Sequence, residues 1–79
     1  MDHGHGLRRI DGANFQPDAE SIGDAVRADE AVLLDLSHAT PDAKRRLTDF
    51  ASGACYSRRW SMTRVGTEGF VLSPPSEDA

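Results

Sequence analysis

Cys55 and the histidines His3, His5 and His38 are the residues of this 79-residue chain best suited to covalent or metal chemistry. A thiol beside an imidazole can form a reactive ion pair, and Cys55 with His38 is the only combination that could imitate one. Cys55 falls near the buried face of a helical repeat, where a cysteine serves as a small hydrophobe. Packing is therefore its expected role. His3 sits two residues after Met1, and a terminal amine, two backbone nitrogens and an imidazole can hold Cu(II) or Ni(II) in a square plane. The plain alternative is a loose polar end. The histidines are too scattered for a structural zinc site. Neither a metal nor a cofactor is expected.

Arg58-Arg59-Trp60 places two cations beside an aromatic, a combination that suits stacking on nucleic-acid bases. The alternative is a pair of cations flanking a half-exposed aromatic where a helix gives way to a strand. The chain is acidic overall, with a net charge of −4 and five aromatics in all, and it carries no RNA-binding signature. No nucleophile elbow, phosphate loop or dinucleotide fingerprint is present either. An enzyme is not expected, and no catalytic residue is assigned.

The elements that must position these residues follow from periodicity and punctuation. Residues 7–10 (LRRI) form a short first strand ended by Asp11-Gly12. Phe15-Gln16-Pro17-Asp18 opens a helix, with Pro17 at its first position and Asp18 in its first turn. Ala19, Ile22 and Val26 give that helix one apolar stripe, Gly23 interrupts its middle, and Ala28-Asp29 ends it. Residues 31–36 (AVLLDL) are a continuous apolar run, the mark of a buried central strand. Thr40-Pro41-Asp42 supplies a capping hydroxyl, a first-position proline and an acid, and the second helix should run to about Tyr56. Residues 60–65 alternate as a strand with Trp60, Met62 and Arg64 on one side. Residues 66–69 (GTEG) form a hairpin loop, and residues 70–73 return as the last strand before Pro74-Pro75. The order β-α-β-α-β-β implies an α/β two-layer sandwich, a small mixed sheet with both helices on one face. Its first two strands should be parallel through a right-handed crossover.

The domain reading is a flexible N-terminus over residues 1–6, a core over 7–75 and a flexible tail over 76–79. A core this small is marginal alone and wants a disulfide, a metal or a partner. With one cysteine and no zinc site, self-association is the remaining device, and a dimer is expected. The apolar runs are too short to span a membrane and no signal peptide is visible, so a cytoplasmic protein is the default. Charge is unevenly spread. Residues 10–35 carry seven acids against Arg27 alone, whereas residues 41–75 carry six cations against three acids. The basic half could attract an acidic peptide or a nucleic acid.

The runs AKRRLTDFASGACY and TRVGTEGFVLSPP, supported upstream by FQPDAESIGDAVRADEAVLLDL, resemble the SepF family of bacterial cell-division proteins over about residues 13–75. The resemblance implies a cytoplasmic, non-enzymatic adaptor at the division site. Such an adaptor dimerises through its helices, binds the C-terminal tail of the tubulin-like protein FtsZ and ties its filaments to the membrane, supporting septum assembly. It implies that Arg64 and Phe70 grip the FtsZ tail, and that Gly53 lies at the self-association surface of the second helix. A glycine between Ser52 and Ala54 would let a partner helix approach closely, with Phe50 and Ala54 on the same contact. Alternatively Gly53 relieves crowding against the chain's own sheet or starts the end of the helix. Phe70, at the start of a strand that could lie on a sheet edge, and Arg64 across the hairpin would supply an apolar anchor and a charge clamp for a short peptide. The residues alone read equally well as a core phenylalanine and a solvated arginine.

Two departures from the family pattern shape the expectations. The stretch MDHGHGLRRIDG has no amphipathic face to lie in a membrane interface, so membrane anchoring by it is not expected. The chain reads either as a core-only fragment or as a short SepF-like paralogue, and a paralogue could pair with a full-length SepF without binding FtsZ itself. Trp60 stands where the family places a glycine after the second helix, and a bulky aromatic takes a positive φ with difficulty, so the turn should differ.

Overall fold

Thr40 starts the longer helix as its sequence implies: the Ala43 N–H donates to Thr40 Oγ1 at 3.1 Å, and Pro41 occupies the first position, where a missing N–H costs nothing. The computed structural model describes residues 7–75. Its elements are β1 (Leu7–Asp11), α1 (Phe15–Arg27), β2 (Ala31–Asp35), α2 (Pro41–Arg58), β3 (Ser61–Val65) and β4 (Gly69–Ser73). The His3/His5 pair lies outside the described residues.

Helix α1 begins at Phe15, two residues before the position expected from Pro17. Asp18 explains the early start. Its Oδ2 accepts from the N–H groups of Ala13 at 2.7 Å and Asn14 at 2.9 Å, so a carboxylate inside the first turn caps the helix from within. Proline is tolerated at the third position because its N–H would have had no helical partner there. The other end closes on Asp29, in the left-handed region at φ 58°, with the Glu30 N–H donating to the Ala25 carbonyl at 2.9 Å.

Helix α2 buries one stripe of Ala43, Leu47, Ala51 and Cys55 at four-residue spacing. It continues two residues past the expected end, to Arg58. Arg59 makes the turn at φ 62°, and the Trp60 N–H donates to the Cys55 carbonyl at 2.8 Å. The turn therefore does differ from a glycine turn at Trp60. The positive φ falls one residue earlier, and Trp60, released from that duty, enters the core at 7% exposure. This corrects the reading of a half-exposed aromatic.

The sheet order is β1-β2-β4-β3, with β1 and β2 parallel and β4 antiparallel to both β2 and β3. Ile10, Val32, Leu34 and Leu72 face the helices and join Ile22, Val26, Leu47, Ala51, Cys55 and Trp60 in one core. The fold is thus the expected mixed α/β sandwich of four strands and two helices. The apolar run of β2 is central in the sheet but buried only on alternate residues: Val32 and Leu34 are buried, whereas Ala31, Leu33 and Asp35 are half-buried. Among the described residues, no helix covers that second face. At the crossing of β1 into α1, Gly12 is obligatory in kind. A Cβ there would stand 2.7 Å from Leu36 Cδ2 and 3.1 Å from Leu47 Cδ1, inside a packed core.

Candidate functional site

The hairpin from β3 to β4 fixes Arg64 and Phe70 opposite each other, and they form a Cα pair in the antiparallel ladder. The Arg64 guanidinium carbon lies 5.2 Å from the Phe70 ring centroid, within cation–π reach. Phe70 is half-buried and packs its inner edge against the core. One expectation is corrected by the topology. β4 does not lie at the sheet edge, because Phe70 pairs with Leu34 of β2 on one side and with Arg64 of β3 on the other. Of the two hairpin strands it is β3 that lies at an edge of the sheet, so Arg64 is the outer member of the pair, and the backbone of Phe70 is already committed to the ladder.

A second surface lies on α2. Gly53 is exposed, and a Cβ added to it would meet no atom within 4 Å, so the chain's own sheet does not require a glycine there. Phe50 is 37% exposed and Tyr56 87% exposed. Ala54 turns inward and is half-buried against the core. Phe50 meets Phe15 of α1 edge-to-face, with centroids 6.2 Å apart and planes at 90°. Arg46 also lies over the Phe15 ring, at 4.2 Å from its centroid. Beside this aromatic pair runs an open groove of 450 Å³ floored by Phe15, Ala19, Gly23 and Phe50 and rimmed by Gln16, Glu20, Asp24 and Arg27.

A second cavity, of 380 Å³, opens beside the hairpin loop and is lined by Leu33, Asp35, Ser37, Val65 and Glu68 with their neighbours. Asp35 is held below the usual carboxylate range, first by the Ser37 backbone N–H donating to Oδ1 at 2.9 Å, next by the Ser37 side chain, and more weakly by Arg9 at Oδ2, 2.7 Å away. Lys44 reaches Glu68 at 2.7 Å and so ties the hairpin loop to the start of α2.

The residues first considered for covalent chemistry are kept apart. His38 precedes α2 and Cys55 lies in its last turns, so about 20 Å of helix separates them at 1.5 Å per residue. Burial also pushes the Cys55 thiol up, away from a thiolate. Arg58 and Arg59 are exposed, but the buried Trp60 offers no stacking face beside them. Among the described residues, no group of three histidine, cysteine or acidic side chains is placed to hold a metal, and no helix is long and apolar enough to cross a membrane.

Sequence reasoning missed the partnership of Phe15 with Phe50 and the exposure of Tyr56. The spacing of Arg46 and Phe50, four apart on one flank of α2, was the available signal for a ring lying between them.

A family model described as cell division protein SepF matches residues 13–78. The chain belongs to the SepF family. Proteins named cell division protein SepF from Mycobacterium avium (strain 104) and Mycobacterium tuberculosis (strain ATCC 25618 / H37Rv) are 38% identical to it over 83 aligned positions. The alignment covers 99% of this chain and 37% of theirs, so the chain spans little more than a third of the length of these SepF relatives. A solved SepF-like protein from Pyrococcus furiosus superposes with a TM-score of 0.80, covering 95% of this chain and 93% of that one. At 11% identity that match shows the SepF fold alone. Membership places the chain in a family of cell-division proteins.

Proposed function

We propose that this SepF-family chain is a non-enzymatic adaptor of the division machinery that self-associates through α2 and binds the C-terminal tail of FtsZ. It would act in the cytoplasm at the division site, in support of septum assembly. The observation that carries the reading is the Arg64–Phe70 pair, the two residues to which the SepF resemblance assigns the grip on the tail. An aromatic half-sunk in the core gives a rigid apolar anchor, and a guanidinium over its ring gives a clamp for a carboxylate on the same peptide. Because β4 is interior, the tail is read by side chains at Phe70 and can engage the backbone only along β3.

Self-association draws on Gly53, Phe50 and Ala54. Gly53 leaves a flat, open place on an exposed helix face, Phe50 stands beside it, and Ala54 backs the contact from the core side.

Fluorescence anisotropy of a labelled FtsZ C-terminal tail peptide tests the binding. Saturable binding with a Kd of roughly micromolar order is expected, and Phe70→Ala should abolish it while leaving the oligomeric state unchanged. A Phe70→Ala protein that bound the tail normally would remove this residue from the site. No binding by folded wild type would point instead to a chain that pairs with a full-length SepF, which co-purification would identify.

A further inference from the structure

Tyr56 is the most exposed large hydrophobic side chain among the described residues, and it sits on α2 three residues after Gly53, as Phe50 sits three before it. At 100° and 1.5 Å per residue, Phe50 and Tyr56 lie about 4.5 Å up and down the helix from Gly53 and about 60° to either side of it. Gly53 is thus the midpoint of a line joining the two aromatics. A two-fold axis over Gly53, lying in the contact plane and perpendicular to that line, carries each Tyr56 onto the Phe50 of the other copy. Nothing within 4 Å of the Gly53 Cβ position obstructs the approach.

We propose that Tyr56 of one copy fills the α1–α2 groove of a second copy, and that the second copy returns the same contact. This rests on the reading of α2 as a self-association surface and names the side chain and the pocket that would build it. The chain's own Tyr56 cannot serve, because it points about 120° around the helix from Phe50. The groove suits a phenol. Phe15 and Phe50 offer it an aromatic wall and Ala19 leaves room for the ring, while the exposed Arg27 side chain, 3.4 Å from a Cβ position on Gly23, swings aside to admit it.

Charge complements shape. The rim carries Glu20 and Asp24 together with Arg27, which pairs with Asp24 at 2.5 Å; Glu20 or the second oxygen of Asp24 can accept from the tyrosine hydroxyl. Two residues after Tyr56 come Arg58 and Arg59, both exposed, and among the described residues neither forms an ion pair within 4 Å. Seated in the groove, Tyr56 would bring these cations to the acidic face of α1, which favours a second copy of this chain over an acidic peptide as the occupant.

Sedimentation velocity of the full chain, across a concentration series, tests the proposal with Tyr56→Ala, Tyr56→Phe and Gly53→Lys. Both altered positions are exposed, so circular dichroism should show all variants folded. Tyr56→Ala should weaken self-association about 100-fold, since symmetry removes two aromatic anchors, each worth about tenfold. Tyr56→Phe keeps the ring and should lose far less. A Gly53→Lys protein that dissociates while Tyr56→Ala associates normally would overturn the groove contact and leave the α2 reading intact. A wild type monomeric at every concentration would overturn both. Disulfide trapping in a Cys55→Ala background gives an independent readout. Mixed Phe50→Cys and Tyr56→Cys chains should cross-link to each other faster than Phe50→Cys chains do among themselves, and equal rates would refute the geometry.

Discussion

Replacing Gly53 by alanine should make the free chain more stable. Gly53 lies well inside α2, with five further helical residues on its C-terminal side and twelve on its N-terminal side. Glycine in a helix interior is less favourable than alanine by about 1 kcal/mol, chiefly because it surrenders more backbone freedom on folding. The added methyl meets no atom within 4 Å, so no overlap subtracts from that gain and no packing adds to it. The whole effect is therefore backbone propensity, about 1 kcal/mol. For a domain of this size that raises Tm by roughly 4–8 °C. In urea, with a slope of about 1 kcal/mol/M, it moves the midpoint up by about 1 M without changing the slope. The measurement belongs at the lowest practical concentration, where self-association does not contribute. An unchanged or lowered Tm there would refute the reasoning, since it would mean that the space over Gly53 is occupied in the free chain or that α2 is broken at that point. A concentration series adds a second reading. If α2 pairs across Gly53, the stabilisation should shrink as concentration rises, because binding then favours the glycine.

Leu47 is fully buried between the helices and the sheet, so Leu47→Ala should cost about 2–5 kcal/mol, and urea denaturation should find the variant largely unfolded or sharply shifted. Arg59→Gly should stabilise by up to about 1 kcal/mol by relieving the left-handed turn at φ 62°, read as a higher Tm with no change in the circular-dichroism spectrum. Asp35 has a folded pKa below the ordinary aspartate range, so its contribution to stability is present above the unfolded pKa and is lost as pH falls through the folded one. Asp35→Asn should therefore flatten the acid limb of the stability profile below about pH 4, measured by urea midpoints at stepped pH. An acid limb identical to wild type would deny Asp35 that role.

Local signals carried much of the fold. Thr40-Pro41-Asp42 announced α2 because a cap is made by adjacent residues, and the same holds for the loop that sets Arg64 against Phe70. Where a side chain reaches further, the sequence misled. Asp18 caps backwards onto Ala13 and Asn14, so α1 starts ahead of its proline. Trp60 looked like the turn residue because the left-handed position was taken by an arginine, a type that gives no sign of φ. The interior place of β4 was hidden altogether. Strand order depends on the long-range pairing of Phe70 with Leu34, and no property of either residue alone encodes it. On the surface, the hairpin pair was legible, but the groove was not, because it is shared between Phe15 of one helix and Phe50 of the other.

The order β1-β2-β4-β3 also governs how the sheet can be assembled in time. The strand that joins the two halves is the last of the four in sequence, and it fills the slot between β2 and β3. Until it arrives, β2 has one flank unsatisfied, a bare ladder of Ala-Val-Leu-Leu with β-branched and leucine side chains. Loop closure over that distance is entropically slow, so the sheet should form late and all at once. A product truncated before Gly69 would keep both helices and yet leave that flank open to any other extended chain, which makes premature termination here a route to aggregation rather than to a smaller folded domain.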